Sequence, residues 1–487
     1  MSGNARDGIV VNAPTRAVKG HDWDGVETDW TKASYGYGAI HFHDDDLNDA
    51  CWKTDLTVTI PRDALSGAYV VAATGIDANV HDDIAFFESA KPRPKAAFVL
   101  STFTYVAYAN EHMWDMSRES KMTMAGGDVV IRKDAYWRRM ARHPDLGLAV
   151  YDVHNDGSGN VHTTARAGPF STSAQATADQ FMINFLEEQL GRGGYDVVTE
   201  HDVHVQGVSM LESYDAVITG CHPEYPSRAL IDAYVAYTRG GGNIMYLGGN
   251  GFYWCSTTDP ARPHRMEVCK GDQGCRSIEV PAGERMHALD GQLGGLWRSR
   301  GRYAQTLFGV GPDSCGTGPG VPYKVWVPDE QAAECAWVWK GLEAYQTADS
   351  TFSLPLIVEF GFGGGASGDE MDRLDYKLGS PSNAVLLATS TGHDESFGIF
   401  NEEMMFPMVD TLGPQCDRVR SDMTYYETAA GGAVFSVGSI EWFCSLAWDN
   451  YKNTVAVITW NVLEEFLQRG KGDGMLSVTG NVGWYTD

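Results

Sequence analysis

The sequence predicts a doubly wound α/β domain over residues 94–487, preceded by a smaller β-sandwich-like domain over residues 1–93. Three observations predict it. Residues 214–255 read as strand, loop, helix, strand, loop, with polar groups confined to the loops. Short apolar runs of the kind buried parallel strands show recur around residues 95–101, 195–199 and 216–219. Ahead of residue 94 the chain carries short alternating runs and turns with no helical period.

In the front domain, YGYGAIHFH, TDLTVTIP, SGAYVVAAT and HDDIAFFES read as strands. The run His41-Phe42-His43-Asp44-Asp45-Asp46 sets two imidazoles on one strand face, as a metal site or as a structural feature at a domain border. Lys91-Pro92-Arg93-Pro94 is an extended linker. Residues 95–101 form the first strand of the α/β domain and open onto a hydroxyl-rich stretch, 102–110, that carries Tyr105 and Tyr108 past the strand's carboxyl end. A polar insertion follows, and residues 146–150 then lead into YDVHNDGSG with Tyr151. Residues 178–190 have the period of an amphipathic helix, and 195–199 that of the next strand. The apolar run through Val217 and Ile218 stops at Gly220, and Ser227 caps a helix on which Leu230, Ile231, Tyr234, Val235 and Thr238 recur. Gly240, Gly241 and Gly242 end that helix before a strand at 243–247. Residues 256–380 are loop-rich and have no legible order; 433–446 reads as sheet and 453–468 as a closing helix stopped by Gly470.

With 487 residues and 43% of them hydrophobic, the chain can bury a large core. Its 37 Lys and Arg against 64 Asp and Glu give a net charge of -27, which argues against nucleic acid or an anionic membrane surface as partner. Such an acidic surface fits tolerance of high salt as well as plain solubility. The first residues show no basic start before an apolar stretch, and no segment offers about 18 unbroken apolar residues, so a soluble cytoplasmic protein is expected. Nine cysteines with no CxxC pair form no recognisable zinc or disulfide framework and are expected to be mostly buried thiols. Cys255, Cys269 and Cys275 are close in sequence, at a spacing that matches no known metal or disulfide pattern.

Open α/β sheets bind ligands outside the carboxyl ends of their strands. Cys221-His222-Pro223-Glu224 lies at one such end and Gly249-Asn250-Gly251 at the next. A His and a Glu one residue apart, stiffened by the proline between them, can aim at one point; a capped turn with a solvated carboxylate is the plain alternative. The phenols of Tyr105, Tyr108 and Tyr151 are expected at the same edge. Hard anionic oxygens suit a hard cation, and two phenolates with one carboxylate would balance Fe3+ and hold it as a Lewis acid rather than a redox centre. The chain has 22 tyrosines, most of them needed for packing, so spacing alone does not select the donors.

Six ordered stretches carry a more specific signal: YVAYANE at 105–111, YDVHNDGSG at 151–159, ITGCHPEYPS at 218–227, GGGNIMYLGGNGFYW at 240–254, GGLWRSRG at 294–301 and GGAVFSVGSIEW at 431–442. Together they closely resemble the large subunit of N,N-dimethylformamidases, over nearly the whole chain. The resemblance implies a mononuclear Fe3+ centre with two tyrosinates and one glutamate as ligands. Carried over to this chain, Glu224 is the carboxylate ligand, Tyr151 one phenolate and Tyr108 the other, with Tyr105 as the alternative for that last place. It further implies His222 as a near-neutral general base or orienter of water, Asn250 as a holder of substrate carbonyl or water, and Glu370 in GASGDEMDR as an acid for the leaving amine. Water activated by the iron would attack the formyl carbon of dimethylformamide or a similar small amide, giving formate and dimethylamine. Large subunits of that family carry an additional N-terminal β domain, which this chain is expected to lack, and they pair with a small subunit. A small subunit or a homo-oligomer is therefore the implied partner.

Two readings from other classes compete. The sheet is expected to be glutamine-amidotransferase-like, and in that setting Cys221 could serve as the nucleophile of a cysteine hydrolase. Thr219-Gly220-Cys221-His222-Pro223 lacks the second glycine of a G-x-C-x-G elbow, which weighs against it. The other is a non-catalytic carbohydrate- or protein-binding module.

Overall fold

The computed structural model describes residues 26, 32, 53–54, 56–74, 81–88, 94–107, 121–124, 127–130, 178–270, 273–274, 286–316, 318–326, 334–342, 365–404 and 408–472. Most of the front segment, including His41 to Asp46 and the greater part of the expected sandwich, lies outside them, as do residues 91–93 and 146–159. Strands β1 (Gly67–Thr74) and β2 (His81–Glu88) form an antiparallel hairpin in the register Gly67 opposite Glu88. Residues 56–61, expected as a strand, form none. Their alternation sets Leu56 and Val58 on one side, but both stand exposed, so no sheet face covers them.

The strands that build the two larger sheets are β3 (Ala96–Leu100), β4 (Tyr195–Thr199), β5 (Ala216–Thr219), β6 (Asn243–Tyr246), β7 (Val310–Gly316) and β8 (Tyr323–Val325). After them come β9 (Glu370–Leu374), β10 (Val385–Ser390), β11 (Phe397–Ile399), β12 (Asp422–Glu427) and β13 (Ala433–Ser436). Eight of these make one sheet in the order β8-β10-β12-β13-β6-β5-β3-β4. From β13 to β4 all neighbours are parallel, whereas β8, β10 and β12 add antiparallel pairs. A second sheet, β9-β7-β11, carries residues 370–374. Ser66 closes the free edge of the large sheet: its hydroxyl accepts from Val197 N at 2.7 Å and donates to Val197 O at 3.2 Å. A side chain thus does what an added strand would do, and edge pairing stops there.

The helices include α1 (Thr102–Ala107), α2 (Ala178–Leu190), α3 (Glu200–Gln206), α4 (Arg228–Arg239), α5 (Glu441–Leu446) and α6 (Thr454–Arg469). Side chains alternate along the strands, so Phe98, Leu100, Ile218, Met245 and Phe435 fill one core with Phe185 of α2, Phe443 of α5 and Leu463 of α6. Val99, Val217, Ile244 and Val434 fill the other core with Leu230, Ile231 and Tyr234 of α4. Each such side chain contributes roughly 1.5–3 kcal/mol through burial. The cap expected at Ser227 is present, its hydroxyl accepting from Leu230 N at 3.2 Å, and Asn453 caps α6 in the same way through Ala456 N at 2.9 Å.

One element differs from expectation, and one stretch that carried none proves helical. Residues 102–107 form a short helix whose first turn finds a partner outside itself: Phe103 N donates to Glu200 Oε2 at 2.9 Å. Within 433–446 only Ala433–Ser436 is strand; Glu441–Leu446 is helix. That helix is buried nearly all round, through Glu441, Trp442, Phe443, Ser445 and Leu446, and so lacks the division into a solvated and a buried face that marks a surface helix.

Candidate functional site

Three loops converge beyond the carboxyl ends of β3, β5 and β6. Glycine makes the convergence possible: a Cβ at Gly220 would lie 2.3 Å from Ser101 Oγ, and one at Gly249 would lie 2.2 Å from the carbonyl oxygen of Glu370. Backbone hydrogen bonds then join the loops. Phe252 N donates to Pro223 O at 2.8 Å, Tyr253 N and Trp254 N donate to Glu224 O at 3.1 and 3.0 Å, and Gly249 N donates to Cys221 O at 3.2 Å. Asn250 and Phe252 both take positive φ, 49° and 56°, so this turn is held in a left-handed conformation that its surroundings over-determine.

The loops bring His222, Glu224 and Asn250 together with Glu370, the first residue of β9, each at most 4% exposed. His222 Nε2 lies 2.8 Å from Glu370 Oε2 and 3.2 Å from Glu224 Oε2. Asn250 Nδ2 donates to the same Glu370 Oε2 at 2.9 Å, and Asn250 N donates to Asp372 Oδ1 at 2.7 Å. Tyr246 supports that contact: its hydroxyl donates to Asp372 Oδ2 at 2.6 Å and accepts from Gly251 N at 2.8 Å. Among the described residues, His222, Glu224 and Glu370 form a group whose ligand atoms lie within 4.8 Å of one another, close enough to share a cation. Asn250 Oδ1 is buried and, among the described residues, has no hydrogen-bond partner, which leaves an acceptor open on the side chain whose Nδ2 is held by Glu370.

Charge is concentrated here. Burial works against a charge on His222, yet the Glu370 and Glu224 carboxylates outweigh it and raise its pKa to about 10. The expectation of a near-neutral imidazole is corrected accordingly: between two carboxylates the ring keeps its proton at pH 7 and acts as a donor. Burial raises Asp372 to about 7 and Glu200 to about 8, against the hydrogen bonds each accepts. Cys221 behaves oppositely to a nucleophile. Its thiol is buried, and burial together with the Asp179 carboxylate pushes its pKa well above the usual thiol value.

Of the residues singled out in the sequence, His222, Glu224, Asn250 and Glu370 meet at one point. Tyr105 lies on α1 with its hydroxyl donated to Asp179 Oδ2. Tyr108 and Tyr151 lie outside the described residues. Cys255 and Cys269 take part in no disulfide among the described residues, and Cys275 lies outside them. Sequence reasoning missed Asp372, although two residues on a strand share a face and Glu370 already pointed to it. It also missed Thr104, whose hydroxyl accepts from Glu224 N at 3.1 Å, and Asp179, which carried no local signal.

A mixed α/β sheet with a buried His–carboxylate centre at its strand ends defines the class of protein. Residues 15–454 match the family described as N,N-dimethylformamidase beta subunit-like, C-terminal, and the chain belongs to that family. It is 36% identical over 482 residues to the N,N-dimethylformamidase beta subunit of Paracoccus aminophilus and 35% identical over 486 residues to that of an Alcaligenes species. The matches cover 96% of this chain and 61% of each relative. A putative ThuA-like protein from Bacteroides uniformis overlaps 61% of this chain and 86% of its own at a TM-score of 0.27 and 12% identity, too slight a likeness to bear on the fold.

Proposed function

We propose that this chain carries the catalytic centre of an amide hydrolase that cleaves the C–N bond of N,N-dimethylformamide or a similar small amide, giving formate and dimethylamine. The observation that carries the reading is His222 Nε2 held 2.8 Å from Glu370 and 3.2 Å from Glu224 inside a chain of this family. The curated relatives are named as beta subunits, which supports a small subunit or another copy of the chain as partner. No helix among the described residues is long and apolar enough to cross a membrane. We read the sheet as glutamine-amidotransferase-like, with the reaction centre at its carboxyl edge.

The described part of the donor set is of the kind a hard cation takes. Two carboxylates lie within reach of one point, and the free Asn250 Oδ1 adds a neutral oxygen beside them. Glu224, Tyr108 and Tyr151 would hold Fe3+, which supplies Lewis acidity toward an amide carbonyl and toward water. The remaining work falls to the protein. His222 keeps a proton on its ring between Glu224 and Glu370 and orients the attacking water. Asn250, fixed through Asp372 and Glu370, holds the amide or that water. Glu370, ionised beside His222 at 2.8 Å, takes the proton that the attacking water gives up and delivers it to the departing nitrogen. The cysteine-hydrolase reading is disfavoured because the Cys221 thiol is buried and held protonated. Glu224→Ala tests the proposal: it should lose both iron and amidase activity. A Glu224→Ala protein with full iron and full activity would overturn it.

A further inference from the structure

We propose that Asp179 is a positioning residue for the Cys221–Glu224 loop, acting through the Cys221 amide and the Tyr105 phenol. It rests on the reading of that loop as catalytic. Asp179 stands in the first turn of α2 and is fully buried. Its Oδ1 accepts from Cys221 N at 3.2 Å while its Oδ2 accepts from the Tyr105 hydroxyl. Burying a carboxylate is costly unless its oxygens are satisfied, so these two donors account for its presence there. A helix N-terminus offsets part of that cost.

The geometry makes the contact consequential. Cys221 N belongs to the Gly220–Cys221 peptide, one residue ahead of His222, so fixing it sets the direction in which the loop leaves the strand. At the other end of the same loop, Glu224 N donates to Thr104 Oγ1 at 3.1 Å. Thr104 and Tyr105 are consecutive on α1, so one short helix braces both ends: directly at Glu224 and through Asp179 at Cys221. The carbonyls of the loop are held separately, by the backbone of residues 249–254. Donors and acceptors of the loop are thus fixed from opposite sides. The same contact engages the Tyr105 phenol and assigns it to the brace rather than to the cation.

The test compares Asp179→Leu, Asp179→Asn and Thr104→Val in the full-length chain, reading amide hydrogen exchange of residues 219–226 alongside kinetics. Asn keeps an acceptor for Cys221 N, whereas Leu keeps none. Asp179→Leu should speed exchange at Cys221 at least roughly tenfold and lower kcat by roughly 10- to 100-fold with KM within about twofold, as loss of an orienting partner does. Asp179→Asn should recover most of both, and Thr104→Val should speed exchange at Glu224 but not at Cys221. If Asp179→Leu fails to fold, the other two variants still decide: Asp179→Asn that matches the wild type in exchange and kcat, with a site-specific Thr104→Val effect, supports the brace. Unchanged exchange at both amides in Thr104→Val and in folded Asp179→Leu overturns it, and so does wild-type kcat in folded Asp179→Leu. Exchange is read without substrate, so the brace can stand even if amide hydrolysis is not the activity.

Discussion

His222 and His393 are equally deep in the protein, 3% and 1% exposed, and their surroundings drive them in opposite directions. His393 sits among hydroxyls: its Nε2 lies 3.1 Å from Ser390 Oγ and 3.3 Å from Ser367 Oγ, and Ser367 Oγ in turn bonds Ser421 Oγ at 2.7 Å. Burial lowers its pKa to about 4, and Asp394 only partly counters this. His222 suffers the same loss of water, but two carboxylates in contact raise it to about 10. Depth alone therefore does not mark a functional histidine. Anionic neighbours at contact distance do, because their attraction is strong where water is excluded.

The contrast is broken most severely by removing the charge nearest His222. Glu370→Gln should lower the His222 pKa, seen by NMR titration of the ring in metal-free protein, and should cost roughly 100-fold or more in kcat. An unchanged titration would mean that Glu370 does not set the imidazole's charge. The linkage signs are opposite at the two sites. His222, raised above its unfolded value, contributes stability that is fully present below about pH 6.5 and is lost as pH rises through about 10. His393, lowered to about 4, is neutral in the fold while the unfolded chain binds a proton from about pH 6.5 downward. Its share of stability therefore falls as pH drops from about 6.5 to about 4, by up to roughly 3 kcal/mol, and levels off below. Denaturant titrations across that window should show a shallower slope in His393→Asn than in the wild type. The smallest effect is expected from Ser390→Ala, which removes one hydroxyl from the network: about 1 kcal/mol of stability, with turnover unaltered. A large loss of turnover there would tie the two histidines together.

Legibility followed how local each signal was. The unit Ala216–Thr219, Arg228–Arg239, Asn243–Tyr246 could be read directly, since Ser227 and Gly240 punctuate it and its strands are short and apolar. That reading alone located His222, Glu224 and Asn250 at strand ends. Helix Glu441–Leu446 reads as sheet because burial on nearly all sides erases the contrast between its faces, and helix Thr102–Ala107 has no local signal because its first turn is completed by Glu200, about 100 residues away in sequence. The antiparallel strands after residue 310 pair across long separations that no local pattern encodes. Glu370 could be suspected from its motif, but its place against His222 depends on that pairing. Asp179 and Thr104 act through backbone amides of a distant loop, and nothing in their own neighbourhoods announces it.

The most direct test of the central claim is a visible absorption spectrum of the purified protein with total iron measured on the same sample. The account predicts a tyrosinate-to-Fe3+ charge-transfer band with about one iron per chain, bleached by Tyr151→Phe. A colourless, iron-free protein that gains no amidase activity when iron is supplied would contradict it.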